Sequence, residues 1–192
     1  MKKFVIIGSP GAGKSTLAQE LGSILDIHVY HLDNYFWQKG WKERSREDRI
    51  EIEREHILTR HQWIIEGCYL STSESRLHEA DTIIVLDTPP LRCAWRAFKR
   101  SLLFHGRTRP DLPPGCTERF SLAFIKKILF FPYREREQLL TKIAEIQAFQ
   151  AKEPNQKTII SLHSRKDVED FLRLQAYEQQ EEYTFRNPKL VC

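Results

Sequence analysis

The sequence predicts an α/β fold with a mostly parallel sheet of about five strands and helices on both faces. Short apolar runs alternate along the chain with segments of helical periodicity, and no internal repeat interrupts them. The first run, residues 3–7, lacks the polar alternation of a half-exposed strand, as expected for a strand buried on both faces. A glycine-rich segment joins this run directly to the first helical pattern.

Size and composition favour one soluble domain. The chain has 192 residues, and we expect the domain to span 1–174 and a polar tail to span 175–192. Hydrophobic residues make up 41% and charged residues 29%, which excludes a disordered or fibrous protein. The apolar runs are too short for a membrane span or a signal peptide. The cysteines are widely separated, which indicates free thiols in the cytoplasm and no zinc site: Cys68, Cys93, Cys116 and Cys192.

The first half of the chain contains three predicted strands. Residues 28–32 form the second strand, and the aromatic segment 35–41 that follows it is predicted to be a loop. Ser45 is a predicted N-cap because acidic residues follow it, so a helix should extend from there to about Arg60. The apolar run at 63–65 is the third predicted strand.

The second half contains the remaining strands and a long connection. Residues 105–118 form a polar loop with three prolines, and a loop of this length in a compact domain is usually functional. The other predicted elements are a strand at 82–86, a helix at 91–104, two helical patterns separated at Pro132, a strand at 157–162 and a helix at 167–174.

Residues 8–16 read GSPGAGKST and match the phosphate-binding pattern G-x-x-x-x-G-K-[ST] between a strand and a helix. Consecutive backbone N–H groups and the start of the helix would hold the phosphates of ATP. Lys14 would reach the terminal phosphates, and Ser15 would ligate Mg²⁺. The whole motif is predicted to bind the nucleotide: Gly8, Ser9, Pro10, Gly11, Ala12, Gly13, Lys14, Ser15 and Thr16.

The motif opens one small domain, as it does in small-molecule kinases. GTPases need a guanine-binding N-K-x-D sequence, and the nearest string, residues 155–158, lacks the aspartate and precedes its strand. In length, strand spacing and the basic insertion after the fourth strand, the chain resembles the adenylate kinase and shikimate kinase group. This resemblance implies a three-layer P-loop NTPase fold similar to that of nucleoside and shikimate kinases.

A closer resemblance rests on four strings that occur in order: HLDNYFWQKGW, WIIEGCY, TIIVLD and GRTRPD. They resemble the bacterial DNA topology modulation proteins, also described as FlaR-related, over residues 3–172. That family is similar in fold to adenylate kinases. Its name points to DNA, whereas the motifs of this chain point to phosphoryl transfer. Glu66 stands where the family often has aspartate, which keeps a carboxylate. The segment His163–Lys166 resembles the backbone loop that holds adenine in related kinases.

Three carboxylates follow predicted strands, at the edge where open α/β sheets bind ligands. Asp33 is the candidate for orienting and deprotonating an acceptor hydroxyl, or it is a turn or N-cap residue. Glu66 is the candidate Mg²⁺ ligand acting through water, or a strand-end residue. Asp87 is expected to cap the proline-rich turn that follows it, and His31 to be a strand-end residue rather than a base. The aromatic segment 35–41 either walls a substrate pocket or belongs to the core.

Positive charge is concentrated between Arg92 and Arg136, where eleven Lys and Arg accompany three Asp and Glu. Such a field attracts anions, either the phosphates of a small ligand or a nucleic-acid backbone. On the predicted helix 91–104, one arginine stripe lies opposite an apolar face, and it either binds phosphate or is a solvated face. The stripe consists of Arg92, Arg96 and Arg100, and the apolar face of Leu91, Trp95, Phe98 and Leu102.

Arg107 and Arg109 lie in the polar loop at 105–118, which is predicted to be a mobile lid. Closure would bring a guanidinium onto the transferring phosphate and exclude water. The leading function is therefore a kinase that transfers the γ-phosphoryl group of ATP, with Mg²⁺, to a nucleoside- or nucleotide-like or other small hydroxyl acceptor. The alternative is a nucleic-acid-associated regulator that uses ATP as a switch, although no helix-turn-helix, zinc-finger or RNP-type string is present.

Overall fold

The computed structural model describes residues 2–108, 112–118, 120–150 and 157–186. Within them, five parallel strands form one sheet in the order β2-β5-β1-β6-β7, and β3 and β4 pair as a small antiparallel hairpin. The α/β fold class predicted from the sequence is confirmed. The strands are β1 (Lys3–Gly8), β2 (Val29–His31), β3 (Trp37–Gln38), β4 (Lys42–Glu43), β5 (Trp63–Glu66), β6 (Thr82–Leu86) and β7 (Thr158–Leu162).

Helices cover both faces of this sheet, and none among the described residues is long and apolar enough to cross a membrane. Two of the helices continue directly into π-helical turns, at Glu53–Leu58 and Pro132–Arg136. The α-helices are α1 (Lys14–Leu25), α2 (Leu32–Phe36), α3 (Arg46–Ile52), α4 (Glu74–Glu79), α5 (Pro90–Leu103), α6 (Leu122–Phe131), α7 (Glu137–Gln150) and α8 (Arg165–Arg186).

Alternate residues of the central strands supply two separate cores. In β1, Phe4 and Ile6 face the core under α1, α5, α6 and α8, whereas Val5 and Ile7 face the core under α4 and α7. Both faces are therefore apolar, which explains why β1 reads as a continuous apolar run. The parallel register pairs Ile6 with Glu66 of β5 and Gly8 with Leu86 of β6, so the carboxyl ends of these strands lie at one edge.

The chain between α6 and α7 crosses that edge. Ile128 of α6 packs in the first core, and Leu139 and Ile143 of α7 pack in the second. Two α-helices are separated at Pro132, as predicted: α6 ends at Phe131, and a π-helical turn from Pro132 to Arg136 leads into α7. Proline lacks the N–H that an α-helix would use, and a π-turn accommodates this loss.

Helix α5 packs with small residues and exposes large ones. Its buried side chains are Cys93, Ala97 and Ser101, which allow close approach to the neighbouring backbone. The predicted apolar face is turned largely to solvent, with Leu91 76% exposed and Trp95 64% exposed. Periodicity therefore identified the helix but not its inward face.

Three further boundaries differ from the sequence predictions. The aromatic segment 35–41 contributes to α2 and to the β3–β4 hairpin rather than forming a plain loop. Helix α8 extends to Arg186, so residues 175–186, predicted to be a polar tail, are helical. The helix that begins after Ser45 ends as a π-turn at Leu58. Its N-cap is confirmed, because the Ser45 hydroxyl accepts a hydrogen bond from the Asp48 N–H at 3.0 Å.

Candidate active site

The loop between β1 and α1 has the backbone geometry of a phosphate cradle. Gly8 has φ of 148° and Gly11 has φ of 82°, values that other residues rarely adopt. A Cβ atom on Gly8 would lie 2.4 Å from the Leu86 carbonyl oxygen, and one on Gly11 would lie 2.4 Å from that of Cys93. Space and conformation therefore both require glycine at these two positions.

Helix α5 braces the same loop. The Arg96 Nη1 donates to the carbonyl oxygen of Ala12 at 3.0 Å, and the Thr88 hydroxyl donates to it at 3.4 Å. Arg96 therefore belongs to the frame of the phosphate loop. Of the other stripe members, Arg100 lies 3.4 Å from the buried Glu118, and Arg92 is exposed.

Lys14 and the start of α1 face the mouth of the loop. The Lys14 Nζ donates to the Ser9 carbonyl oxygen at 3.0 Å, so the ammonium group lies across the cradle. The first turn of α1 contains no acidic residue, and its N-cap, Gly13, makes no side-chain capping bond. The first N–H groups of the helix thus point outward with a partial positive charge, an arrangement suited to an anion.

Glu66 joins the phosphate loop to β2. Its Oε1 accepts from the Ser15 hydroxyl at 3.0 Å and lies 2.9 Å from His31 Nδ1. Burial raises the pKa of Glu66. The hydrogen bonds to His31 and Ser15 and the charge of Lys14 lower it by more than burial raises it, so the pKa lies below its usual value. The carboxylate is therefore ionised at neutral pH.

A hydroxyl beside an ionised carboxylate fits Mg²⁺, which prefers oxygen ligands and takes one or two from protein at phosphate sites. The described residues contain no group of three or more His, Cys, Asp and Glu that could hold a metal by themselves. Ser15 and Glu66 would thus suit a cation that also binds phosphate oxygens and water, and their role as Mg²⁺ ligands stays a prediction.

Asp33 lies in the first turn of α2, where it bonds to a tyrosine from the loop after β5. The N-cap of α2 is His31, so Asp33 is not the capping residue. The Tyr69 hydroxyl donates to Asp33 Oδ1 and accepts from Trp37 Nε1 at 2.8 Å. Tyr69 was not identified from the sequence, because nothing in the string WIIEGCY indicates that its tyrosine contacts Asp33.

The aromatic segment divides between the core and the β3–β4 hairpin. Phe36 is fully buried in the second core. Trp37 and Trp41 are half-buried on the hairpin, with their rings edge-to-face at 5.6 Å between centroids. Of the two alternatives from the sequence, core therefore applies to Phe36, and pocket wall stays a prediction for Trp37 and Trp41.

Asp87, at the end of β6, does not cap the proline-rich turn as expected. It accepts two hydrogen bonds from Arg136, at 3.0 and 2.7 Å, and its Oδ2 lies 3.5 Å from His163 Nδ1. These hydrogen bonds are the main cause of a lowered pKa of Asp87. Arg136 and Asp87 line a cavity of about 300 Å³ beside Ser9 of the phosphate loop. The sequence did not single out Arg136, because nothing in it indicates the π-turn at Pro132–Arg136 that brings this residue to the sheet edge.

The described part of the 105–118 insertion is fastened to the hairpin. Trp41 Nε1 donates to the Thr117 carbonyl oxygen at 2.9 Å, and the Gly40 N–H donates to that of Gly115 at 3.2 Å. Arg107 is exposed where the insertion begins, with its carbonyl oxygen bonded to the Glu118 N–H at 2.9 Å.

Two further predictions concern segments at this edge of the sheet. The other lid arginine, Arg109, lies outside the described residues. In the segment His163–Lys166, the N–H groups of His163 and Ser164 donate to Asp167 Oδ2 at 2.8 and 3.0 Å. This turn therefore caps the start of α8.

No protein-family model matches the chain, and no curated protein matches it. The resemblance to DNA topology modulation proteins thus stays a prediction. Among solved structures, a gluconokinase from Sinorhizobium meliloti 1021 is similar over 96% of this chain and 97% of its own, with a TM-score of 0.50 and 13% sequence identity.

A second solved structure is more weakly similar. A sugar kinase from Janibacter sp. HTCC2649, in unliganded form, aligns over 96% of this chain and 93% of its own, with a TM-score of 0.40 and 15% identity. That score is too low to support an argument, and an identity as low as that of the gluconokinase bears on the fold alone. The chain therefore shares its α/β fold with this gluconokinase.

Proposed function

We propose that the chain is a small-molecule kinase that transfers the γ-phosphoryl group of ATP to the hydroxyl of a nucleoside- or nucleotide-like or other small acceptor. The observation that carries the proposal is the phosphate cradle, with Lys14 across its mouth and Ser15 bonded to the ionised Glu66. Asp33 follows β2, which lies two places from β1 in the sheet, so we assign the acceptor to the side of Asp33 and the phosphates to the loop after β1. The likeness of fold to a gluconokinase agrees with a small-molecule acceptor.

On the phosphate side, the residues bind and position. The N–H groups of the loop and of the first turn of α1 hold the phosphate oxygens, and Lys14 exchanges the Ser9 carbonyl for phosphate. Ser15 would hold Mg²⁺ directly and Glu66 through water, and the cation when bound would neutralise charge on the phosphates. Little covalent work is left to the protein, because phosphoryl transfer depends on positioning and electrostatics.

On the acceptor side, Asp33 accepts the proton of the attacking hydroxyl. The acceptor oxygen forms a bond to the γ-phosphorus, the bond from that phosphorus to the bridging oxygen of ADP breaks, and the hydroxyl proton moves to the Asp33 carboxylate. A positioned carboxylate contributes about 10²–10⁴-fold to such a step.

An arginine on the transferring phosphate would stabilise its charge in the transition state. Arg107 and Arg109 remain proposals for this role. Arg136 is a nearer candidate than Arg107, because it already lines the cavity beside Ser9 and remains partly exposed. The proposed catalytic unit is a single domain in the cytoplasm that carries the insertion at 105–118 and extends through α8.

A screen for acceptor-dependent ADP release, over nucleosides, nucleotides and small polyols, tests the proposal. We expect one acceptor class to raise ADP release well above the rate with water alone. The Lys126→Ala variant, which changes an exposed lysine of α6, should behave as the wild type. An ADP release that no acceptor changes would contradict a kinase of this kind.

The nucleic-acid alternative draws on the basic segment between Arg92 and Arg136. Part of that charge is used within the protein: Arg96 bonds Ala12, Arg100 pairs with Glu118, and Arg136 pairs with Asp87. Titration of duplex DNA at several salt concentrations separates the two functions. For a regulator, the logarithm of the DNA-binding constant should fall with the logarithm of salt concentration, with a slope of about −0.9 per neutralised phosphate. A kinase should show little affinity for DNA at physiological salt.

A further inference from the structure

The loop between β5 and α4 brings Tyr69 into contact with Asp33 of α2 and with Trp37 of the hairpin. Its hydroxyl donates to the Asp33 carboxylate and accepts from the Trp37 indole N–H at 2.8 Å. Its ring packs edge-to-face on the buried Phe36, with 4.8 Å between centroids. The hydroxyl is thus held from two directions at the point where it meets the carboxylate.

A buried ion pair holds the backbone from which Tyr69 projects. The Arg76 Nη2 donates to the Tyr69 carbonyl oxygen at 2.7 Å, and Nη1 donates to that of Thr72 at 3.1 Å and to Glu53 Oε2 at 2.8 Å. Arg76 is wholly buried, and Glu53 is 2% exposed.

This ion pair is poorly explained by stability alone. Buried pairs are often no more stabilising than apolar residues of the same volume. Glu53 Oε1 and Arg76 Nε are also buried without a hydrogen-bond partner among the described residues, which costs further free energy. An ion pair with this cost in stability fits a role in fixing the conformation of the backbone around it. The backbone that Arg76 holds is that of the loop with Tyr69.

We propose that Tyr69 is a positioning residue for phosphoryl transfer: its hydroxyl, held by Trp37, orients the Asp33 carboxylate toward the acceptor, and Arg76 fixes its backbone. The inference rests on the proposed function. Burial and the charge of Asp33 raise the pKa of Tyr69 well above its usual value, so the phenol stays protonated and donates.

The consequence should appear in the chemical step on the acceptor side. A carboxylate that rotates away from the acceptor hydroxyl loses the alignment that makes proton transfer effective. ATP binds on the other side, through the phosphate loop, and makes no use of this hydrogen bond. Loss of the Tyr69 hydroxyl should therefore lower kcat and leave the KM for ATP nearly unchanged.

The Tyr69→Phe variant removes one oxygen atom and keeps the ring on Phe36. A hydrogen bond to a charged group of this kind is worth about tenfold or more in rate, so we expect kcat to fall by that factor with an unchanged KM for ATP. The matched control is Tyr177→Phe, on the exposed face of α8, which should retain full activity. Trp37→Phe removes the other hydrogen bond to the phenol and should lower kcat in the same direction.

A double-mutant cycle shows whether Tyr69 acts through Asp33. In an Asp33→Asn background, the Tyr69→Phe change should cost less than about twofold, because the carboxylate that it orients is gone. Equal losses in both backgrounds would overturn the inference, as would a Tyr69→Phe loss that appears in the KM for ATP rather than in kcat.

The outcomes also separate this inference from the proposed function. If the wild type turns over an acceptor and Tyr69→Phe matches it in kcat, the positioning role is wrong and the kinase proposal stands. If the wild type turns over no acceptor at all, the proposed function is wrong and the role of Tyr69 falls with it.

Discussion

At the residue scale, the carboxylates of the candidate site are distinguished by their partners rather than by their positions at strand ends. Glu66 meets a hydroxyl and an imidazole, Asp33 meets a phenol, and Asp87 meets a guanidinium. Each carboxylate lies at the edge that the sequence indicates. The partners come from distant segments, so their contacts could not be derived from local pattern.

The Asp33→Asn change tests the acceptor side. An amide keeps the shape of the carboxylate but cannot accept the hydroxyl proton, so we expect kcat to fall by about 10² or more. The KM for ATP should change little, because Asp33 lies outside the phosphate loop. Steady-state kinetics with ATP and acceptor varied separately measure both. Full activity in this variant would reduce Asp33 to a structural residue of α2.

The pKa of Glu66 predicts how stability depends on pH. Because the folded-state pKa lies below the usual value of 4.5, the ionised form stabilises the fold above that value, and this contribution is lost as the pH falls through the depressed pKa. Urea unfolding should therefore show a gap in free energy of unfolding between the wild type and the Glu66→Gln variant, and this gap should narrow from pH 7 toward acid. Glu55→Gln, at an exposed position, is the control and should show no such gap. A gap that widens in acid would contradict the assignment.

At the element scale, the strands of the sheet were predictable to within a few residues, because strands buried on both faces read as continuous apolar runs. The N-cap at Ser45 was predictable from its own side chain and the acids after it. The inward face of α5 was not, since its contacts depend on the phosphate loop and α6, which pack against small residues. The path through Pro132 was not predictable either, because a π-turn has no clear signature in sequence.

Two tryptophans test the difference between a buried strand and the outward face of α5. Trp63 in β5 is fully buried, whereas Trp95 is 64% exposed. Trp63→Ala should cost about 3–5 kcal/mol in free energy of unfolding, whereas Trp95→Ala should cost less than about 1 kcal/mol. Urea unfolding of both variants checks the pair. A comparable loss in the two would mean that the face of α5 is covered.

The hydrogen bonds between the hairpin and the insertion predict that amides at this contact are protected from hydrogen exchange. Trp41→Phe removes the indole hydrogen bond to the Thr117 carbonyl, so the contact between the two segments should open more often. We expect the Gly40 amide, which donates to Gly115, to exchange about fivefold faster, a factor typical of one lost hydrogen bond. Trp95→Phe serves as the control and should leave this exchange unchanged. A Gly40 amide that already exchanges freely in the wild type would contradict the contact.

At the scale of the whole molecule, both faces of the sheet contribute to one edge. The first core carries α1 and α5, which frame the phosphate loop, and the second carries the loop of Tyr69 and the helix that follows Arg136. The chain crosses between the two at Pro132–Arg136, and Arg136 ties that crossing to Asp87. The loop after β1 and the candidate carboxylates Asp33, Glu66 and Asp87 are therefore held by one sheet.

The most direct test of the account is the transfer of phosphate from ATP to an acceptor by the wild type and the Lys14→Ala variant. The wild type should form ADP and phosphorylated acceptor in equal amounts. Because the Lys14 ammonium lies across the phosphate cradle, its removal should slow transfer by about 10² or more, which corresponds to about 2.7 kcal/mol of barrier. The melting temperature should not change, since the side chain leaves no cavity in the core. Equal rates of transfer in the two proteins would contradict the account.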